Sequence, residues 1–332
     1  MPPYLSVIMK REIVLTGVGA LMHFLVDGLC ICCLYLLLPS YGGVGLVEVF
    51  LTYNILAFMS QPITGLWIDR IRNRHWVLLL SIVLLTLAVG VATVHYSLFT
   101  IRYSPFIYLS PLLLGLGNSL FHVWGGKQTV VLMGNDLRAL GVFVSTGAFG
   151  LAVGFVYCSW TLLYVLLITL CLLAVFASQD SLEKTNSDYS DYSDYSENSE
   201  YPLFVIWLSV ALLMAVVMFR SYVGQDFSSA IVKTPALILV IGGIAMLGKM
   251  AGGWLAKGFG IVPSMVVVLL VVLAAMLFRQ SGLAALLVGI FAINCTMAVT
   301  LWLANVVLKG REGLAFGLLA AALIPGWLLT IY

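Results

Sequence analysis

Long apolar stretches recur along almost the whole chain, and they restrict its fold more than any other feature. Windows bounded by charged residues, proline or glycine fall at about 13–38, 44–68, 75–94, 105–133, 139–157, 160–178, 203–222, 234–256, 262–278, 282–308 and 313–331. About 20 apolar residues cross a bilayer as a helix, and the backbone's polar groups must be paired within the membrane. The sequence therefore predicts an all-α membrane protein with about 11 transmembrane helices.

Composition excludes several other classes of protein. Hydrophobic residues make up 62% of the chain and charged residues 9%, whereas soluble proteins average roughly 45–50% and 25%. The net charge of +2 and the lack of a basic run outside the membrane flanks indicate no nucleic-acid partner. The six cysteines lie in apolar stretches without zinc-site spacing. We expect them to act as packing residues and predict neither a cofactor nor a bound metal.

One polar segment divides the chain. Residues 179–201 read QDSLEKTNSDYSDYSDYSENSEY, a composition too polar to form a core and typical of a disordered acidic linker. Residues 1–178 are predicted to form a six-helix bundle, and residues 202–332 a bundle of about five helices.

Lysine and arginine indicate the orientation. With a cytoplasmic N-terminus, nine basic residues lie on the cytoplasmic side (Lys10, Arg11, Arg70, Arg72, Arg74, Arg138, Lys257, Lys309 and Arg311) and three on the other (Arg102, Lys233 and Arg279). Short cytoplasmic loops are enriched in these residues. We therefore predict a multi-pass protein of the plasma or inner membrane, with its N-terminus and the linker in the cytoplasm.

The two parts of the chain resemble each other. GLWIDR (65–70) ends the second span, and GGWLAK (252–257) ends the second span after the linker. Arg138 opens the fifth span as Arg311 opens the fifth after the linker. Such repeats place a binding site at the bilayer midplane, between the halves. The chain stops at Tyr332, without a counterpart to the sixth span.

A charged cluster follows the second span. In the stretch from Gly65 through Asp69 to Arg74, the glycine permits close helix contact, and one acid and three arginines (Arg70, Arg72 and Arg74) follow at the membrane surface. These residues can form a cytoplasmic gate that binds a neighbouring helix end and releases it when the protein changes state. The alternative is a simple stop signal of positive charge.

Several motifs resemble a known family. Gly65-x-x-x-Asp69-Arg70-x-Arg72 resembles the loop signature of the major facilitator superfamily. His23-Phe-Leu-Val-Asp27, Ser60-Gln61-Pro62-Ile-Thr-Gly65 and Gly115-Leu-Gly117-Asn118-Ser-Leu-Phe121-His122 look like its fosmidomycin-resistance type. The resemblance implies a carrier of twelve helices in two pseudo-symmetric bundles, which opens its central cavity to each face in turn. In this chain the twelfth helix is apparently missing.

Ionisable residues inside the spans are the candidates for proton coupling. His23 and Asp27 are spaced i, i+4, so they share one helix face. Burial disfavours the charged form of both groups, while their attraction favours it, so the pair can bind and release a proton. His122 in the fourth span can extend this pair. The alternative is a static polar contact.

Other polar residues are candidates to line the substrate cavity. They are Asn118, Lys127, Gln61, Lys249 and Arg220. Lys249 lies eight residues before Lys257, about 12 Å deeper in the membrane, where it can bind an anionic solute or neutralise Asp27. Lys127 can instead extend to the surface, and Arg220 can instead anchor the outer interface.

These observations predict a secondary transporter of a small solute, coupled to protons and acting as a monomer in the lipid bilayer. Glycines 141, 147, 150 and 154 resemble the packing run of antiporters in the superfamily, which favours efflux over uptake. Two alternatives remain open: an intramembrane enzyme that uses His23, Asp27 and His122, and a receptor or scaffold that does not transport.

Overall fold

A computed structural model describes residues 3–38, 42–71, 75–98, 108–182 and 202–330, and within these ranges the chain forms helices and short connections without a strand. The helices are α1 Pro3–Leu37, α2 Gly42–Asn54, α3 Gln61–Arg70, α4 His75–Leu98, α5 Leu109–Met133, α6 Leu137–Val156, α7 Trp160–Leu182, α8 Leu203–Ser229, α9 Pro235–Phe259, α10 Ile261–Leu277, α11 Leu283–Val307, α12 Glu312–Ala321 and α13 Leu323–Leu328. The predicted all-α fold is confirmed.

Each predicted apolar window corresponds to a helical segment. Helices α2 and α3 form one segment through a π-helical turn at Ile55–Met59, and α12 continues into α13. Seven helices of the described chain (α1, α4, α6, α7, α8, α9 and α11) are long and apolar enough to cross a membrane. Helix α5 is as long, but polar residues such as Asn118, His122 and Lys127 interrupt its apolar character.

Local sequence explains several helix ends. Asp136 caps α6 by accepting hydrogen bonds from the backbone amides of Arg138 and Ala139 at 2.8 and 3.4 Å. Gly134, with φ of +60°, ends α5 in the left-handed conformation that glycine adopts readily. Helix α8 continues to Ser229, beyond the apolar window, and α7 continues to Leu182, into the segment predicted as linker. The rest of that segment, residues 183–201, lies outside the described residues.

Close backbone contacts join the helices within the first bundle. A side chain at Gly150 on α6 would overlap the Phe24 carbonyl on α1, and one at Gly154 would overlap the Gly28 carbonyl. Small residues give this close approach inside a bilayer, where van der Waals packing replaces the hydrophobic effect between helices. On α7 the exposed side chains Val165, Ile168 and Leu172 follow helical spacing, so they form a lipid-facing stripe.

The two bundles meet at two related contacts. Gly65 at the end of α3 packs on the backbone of Gly313 and Leu314 at the start of α12. Gly253, near the end of α9, packs on the backbone of Leu137 at the start of α6. The repeat seen in the sequence thus recurs as two contacts on one face of the protein. We call this end, which holds Arg70, Arg138, Lys257, Lys309 and Arg311, the basic face.

Candidate functional site

Asp27 lies at the centre of a buried polar cluster between α1 and α5. Its Oδ2 is 3.3 Å from Nε2 of His23, and its Oδ1 is 3.3 Å from Nε2 of His122. The side-chain amide of Asn118 also donates to Oδ1 at 3.3 Å. These four residues, the His-Asp cluster, are at least nine-tenths buried. The structure therefore brings together the three residues predicted for proton coupling and one predicted for the cavity.

Backbone carbonyls orient both imidazoles. Nδ1 of His23 lies 2.7 Å from the carbonyl oxygen of Phe143 on α6, and Nδ1 of His122 lies 2.9 Å from that of Asn118. A carbonyl oxygen only accepts, so each Nδ1 carries the hydrogen and each Nε2 faces a carboxylate oxygen of Asp27. When Nε2 carries no hydrogen and the carboxylate is ionised, the lone pairs of the two atoms face each other and repel. Each contact becomes attractive when a proton lies between the two atoms, so the arrangement is suited to holding protons.

Apolar walls and one glycine shape this cluster. Phe121 and Phe143 are fully buried, and their ring centroids lie 6.2 and 4.9 Å from that of His23. A side chain at Gly147 on α6 would overlap both Asp27 and His23. The sequence singled out Gly147 only as part of a packing run, because its position opposite α1 depends on how the helices are arranged.

The same three side chains are of types that bind transition metals. Ligand atoms of His23, Asp27 and His122 lie within 4.8 Å of one another, and hydrogen bonds at Nδ1 are typical of the outer shell of metal-binding histidines. Two imidazoles and one carboxylate can hold a divalent ion with open positions. Metal binding is therefore the competing use of the cluster, and it can be distinguished by experiment.

At the basic face Asp69 contacts the start of α12. Its two carboxylate oxygens accept hydrogen bonds from the backbone amides of Gly313 and Leu314, each at 2.9 Å. Free amides and the positive end of the helix dipole favour an anion at this position. The acid of the predicted gate therefore binds a helix end in the opposite bundle. Arg70 is exposed, whereas Arg72 and Arg74 lie outside the described residues.

Lys127 belongs to this contact and not to the substrate cavity where it was predicted. Its Nζ lies 2.6 Å from Oδ1 of Asp69 and 3.7 Å from Oε2 of Glu312, and all three side chains are about nine-tenths buried. Glu312 escaped the sequence analysis, although its place beside Arg311 in the repeat was a usable signal. We call Asp69, Lys127, Glu312 and the first turn of α12 the basic-face latch.

Gln61 is also placed differently from its predicted position in the cavity. Its side chain is fully buried, and Nε2 donates to the carbonyl of Ala57 at 2.7 Å. The backbone of Gln61 packs against Gly317 on α12. Gln61 thus lies in the contact between α3 and α12, where it closes the π-helical turn.

The related contact of the other repeat also carries charge. Lys257 of GGWLAK lies 3.6 Å from Asp136, the residue that caps α6. Arg138 binds the same carboxylate at 3.1 Å and lies 5.5 Å from the centre of the Trp254 ring. The hydrogen bonds and charge of Arg138 outweigh the effect of partial burial and lower the pKa of Asp136. The carboxylate therefore stays ionised at neutral pH. In the latch the acid lies at the end of the second span, whereas here the base, Lys257, lies at the end of the second span and the acid lies at the helix start.

Two cations of the second bundle lie deep in the protein. Arg220 on α8 is buried, and its Nη1 lies 3.5 Å from the hydroxyl of Thr300 on α11. Lys249 on α9 is partly buried, and its backbone carbonyl packs on Gly141 of α6 in the first bundle. Thr300 was missed because a single threonine in an apolar span carries no distinctive pattern.

The helices described above form two bundles, and comparisons with known proteins agree with this fold. No family model and no curated protein matches the chain. Its structure is similar to that of the human organic anion transporter MFSD10 (TETRAN), with a TM-score of 0.70 at 17% identity, over 99% of this chain and 93% of that one. It is also similar to the Escherichia coli fucose:proton symporter FucP, with a TM-score of 0.64 at 11% identity, over 96% and 90% of the two chains.

A third similar structure is a bacterial homologue of the iron transporter ferroportin in an outward-facing state. Its TM-score is 0.55 at 15% identity, over 95% of this chain and 90% of that one. The chain therefore shares the all-helical, two-bundle fold of these three proteins. The resemblance to the fosmidomycin-resistance type remains a prediction.

Proposed function

We propose that this protein is a secondary active transporter that moves a small solute by alternating access. Three structures of the same fold are all named as transporters. Two pseudo-symmetric contacts join the bundles at the basic face, and a polar site lies buried deeper between the helices. Both bundles come from one chain, so a monomer suffices. The excess of Lys and Arg at the basic face supports placing that face on the cytoplasmic side of a plasma or inner membrane.

We further propose that transport is coupled to protons through Asp27, His23 and His122. The carrying observation is that two imidazoles, each with its Nδ1 facing a carbonyl, direct Nε2 at the same carboxylate. Each contact changes from repulsive to attractive when a proton is bound. FucP, which shares the fold, is named as a proton symporter.

Efflux is the direction that we propose, with the latch as cytoplasmic gate. The glycine run on α6 supports this direction through its resemblance to the packing run of antiporters in the superfamily, and in the structure Gly150 and Gly154 hold α6 against α1. The latch joins α3, α5 and α12 through Asp69, so its rupture would separate the bundles at the basic face.

Proteoliposomes with an imposed pH gradient test the coupling. Solutes that raise the thermal unfolding midpoint of the purified protein are first selected as candidates, since a ligand of the folded state stabilises it. In the wild type the gradient should drive solute flux. Asp27→Asn should abolish gradient-driven flux but keep solute counterflow, because it removes the proton site and preserves the shape of the residue.

The control is His95→Gln, which changes a histidine outside the cluster. Equal gradient-driven flux in the wild type and Asp27→Asn would overturn proton coupling. Elemental analysis of the purified protein tests the metal alternative: one transition metal per chain, lost in Asp27→Asn, would assign the cluster to metal binding instead.

A further inference from the structure

We infer that Arg220 and Lys249 bind an oxyanion group of the transported solute. This inference rests on the proposed function and adds the chemical class of the substrate. The two residues come from different helices of the second bundle, and the backbone carbonyl of Lys249 packs on Gly141 of α6 in the first bundle. The site therefore lies between the bundles, where a carrier of this architecture binds its solute.

Arg220 is a buried cation whose hydrogen bonds are poorly satisfied. It is 6% exposed, and in the described chain its guanidinium has one long hydrogen bond, to Thr300 at 3.5 Å, and no carboxylate partner within ion-pair distance. A guanidinium has five donors in a planar fork that matches an oxyanion. Because burying an unpaired charge is costly, a site of this kind is stabilised when an anion enters.

One interpretation of the sequence placed Arg220 at the outer membrane interface. The helix ends show instead that Arg220 lies deeper. Helix α8 continues nine residues beyond Arg220 to Ser229, which places Arg220 about 14 Å from that end at 1.5 Å per residue. Lys249 lies 14 residues after the start of α9 at Pro235, about 21 Å from it. Both cations therefore lie well inside their helices and away from these ends.

Lys249 adds a second cation at the boundary between the bundles. The residue is partly buried and lies mid-helix, and its backbone carbonyl packs on Gly141 of α6. The neighbouring acid, Asp27, is already in contact with two imidazoles and the Asn118 amide. Asp27 already has these partners, so it does not neutralise both cations. The two positive charges therefore favour an anionic ligand.

The test measures thermal stabilisation of the purified full-length protein by matched pairs of probes. Organic carboxylates and phosphonates are each compared with their uncharged amides or diesters, with inorganic phosphate and sulfate as separate arms. At least one organic oxyanion should raise the unfolding midpoint, and its neutral partner should not. Arg220→Gln and Lys249→Gln should each weaken its binding by about tenfold or more, since each removes a hydrogen bond between charged groups, which is among the stronger ones in proteins.

The control Lys233→Gln removes a cation that lies outside the spans, in the connection between α8 and α9, and should leave binding unchanged. Arg220→Lys keeps the charge without the fork, so it supplies a readout if Arg220→Gln fails to fold. Equal stabilisation by acids and their neutral partners, stabilisation by inorganic anions only, or no stabilisation by any anion would overturn the inference. Gradient-driven flux of a neutral solute that requires Asp27 would overturn it while leaving the proposed function intact.

Discussion

The glycines of α6 differ in which atoms an added side chain would contact. At Gly147 the nearest atoms are the ends of the Asp27 and His23 side chains, which can move. At Gly150 they are backbone atoms of Phe24, which cannot move without displacing α1. The same glycine run therefore serves two purposes, space for the His-Asp cluster at one position and helix contact at the other.

Gly147→Ala should impair coupling more than folding. The added methyl group displaces Asp27 and His23 from each other, so gradient-driven flux should fall while the thermal unfolding midpoint changes little. Gly150→Ala should do the reverse and lower the midpoint, since overpacking of a tight contact costs about 1–3 kcal/mol.

Flux assays and thermal unfolding of both variants check this contrast. Gly17→Ala is the control, since a side chain there meets nothing within 4 Å. Unchanged gradient-driven flux in Gly147→Ala would show that coupling does not depend on the geometry of the His-Asp cluster.

Helix α12 depends on another element for the pairing of its first turn. The amides of Gly313 and Leu314 are bound by Asp69, which lies at the end of α3 in the other bundle. Most helices take their N-terminal cap from their own preceding residue, as α6 does with Asp136. The cap of α12 is therefore lost whenever the two bundles separate at the basic face.

Asp69→Asn should loosen the first turn of α12. Asparagine keeps only one acceptor oxygen, so one of the two backbone hydrogen bonds is lost at a cost of about 0.5–1.5 kcal/mol, and hydrogen exchange of the Gly313 and Leu314 amides should accelerate by roughly 2- to 13-fold. Hydrogen–deuterium exchange with mass spectrometry in detergent micelles measures this. Asp226→Asn removes the acid of an exposed pair with Arg279 and should leave α12 unchanged. Unaltered hydrogen exchange at α12 in Asp69→Asn would show that Asp69 does not stabilise the first turn of this helix.

At the scale of the molecule, two symmetry-related contacts hold one face closed. Asp69 and Lys127 belong to the first bundle and bind the start of α12, while Lys257 of the second bundle meets Asp136 at the start of α6. Each bundle thus contributes the end of its second span to a helix start of the other. The proposed alternating access requires both contacts to open together.

Cross-linking the bundles at this face should stop transport. We expect a short thiol cross-linker to join the pair Asp136→Cys and Lys257→Cys, whose native side chains lie 3.6 Å apart, and to abolish solute flux. The pair Asp226→Cys and Arg279→Cys lies within the second bundle and should transport normally after the same treatment. The unmodified chain, treated identically, controls for its native cysteines. Undiminished solute flux in the cross-linked variant with the inter-bundle pair would exclude rigid-body separation of the bundles at this face.

The sequence by itself determined the membrane fold and one half of the cluster. Apolar windows are local and long, so each of them became a helical segment. The i, i+4 spacing of His23 and Asp27 brings the two side chains together on any regular helix. The repeat of GLWIDR and GGWLAK was likewise visible, and both motifs lie at contacts between the bundles.

Only the tertiary structure decided which side chains meet across helices. His122 and Lys127 are five residues apart on α5, which at 3.6 residues per turn points them in directions about 140° apart. Helix packing then places one beside Asp27 and the other beside Asp69. Hydropathy marks the apolar part of a helix and not its end, so Arg220 looked peripheral until α8 was seen to continue to Ser229. Depth and partners follow from how helices are rotated and stacked, and that arrangement is a property of the whole fold.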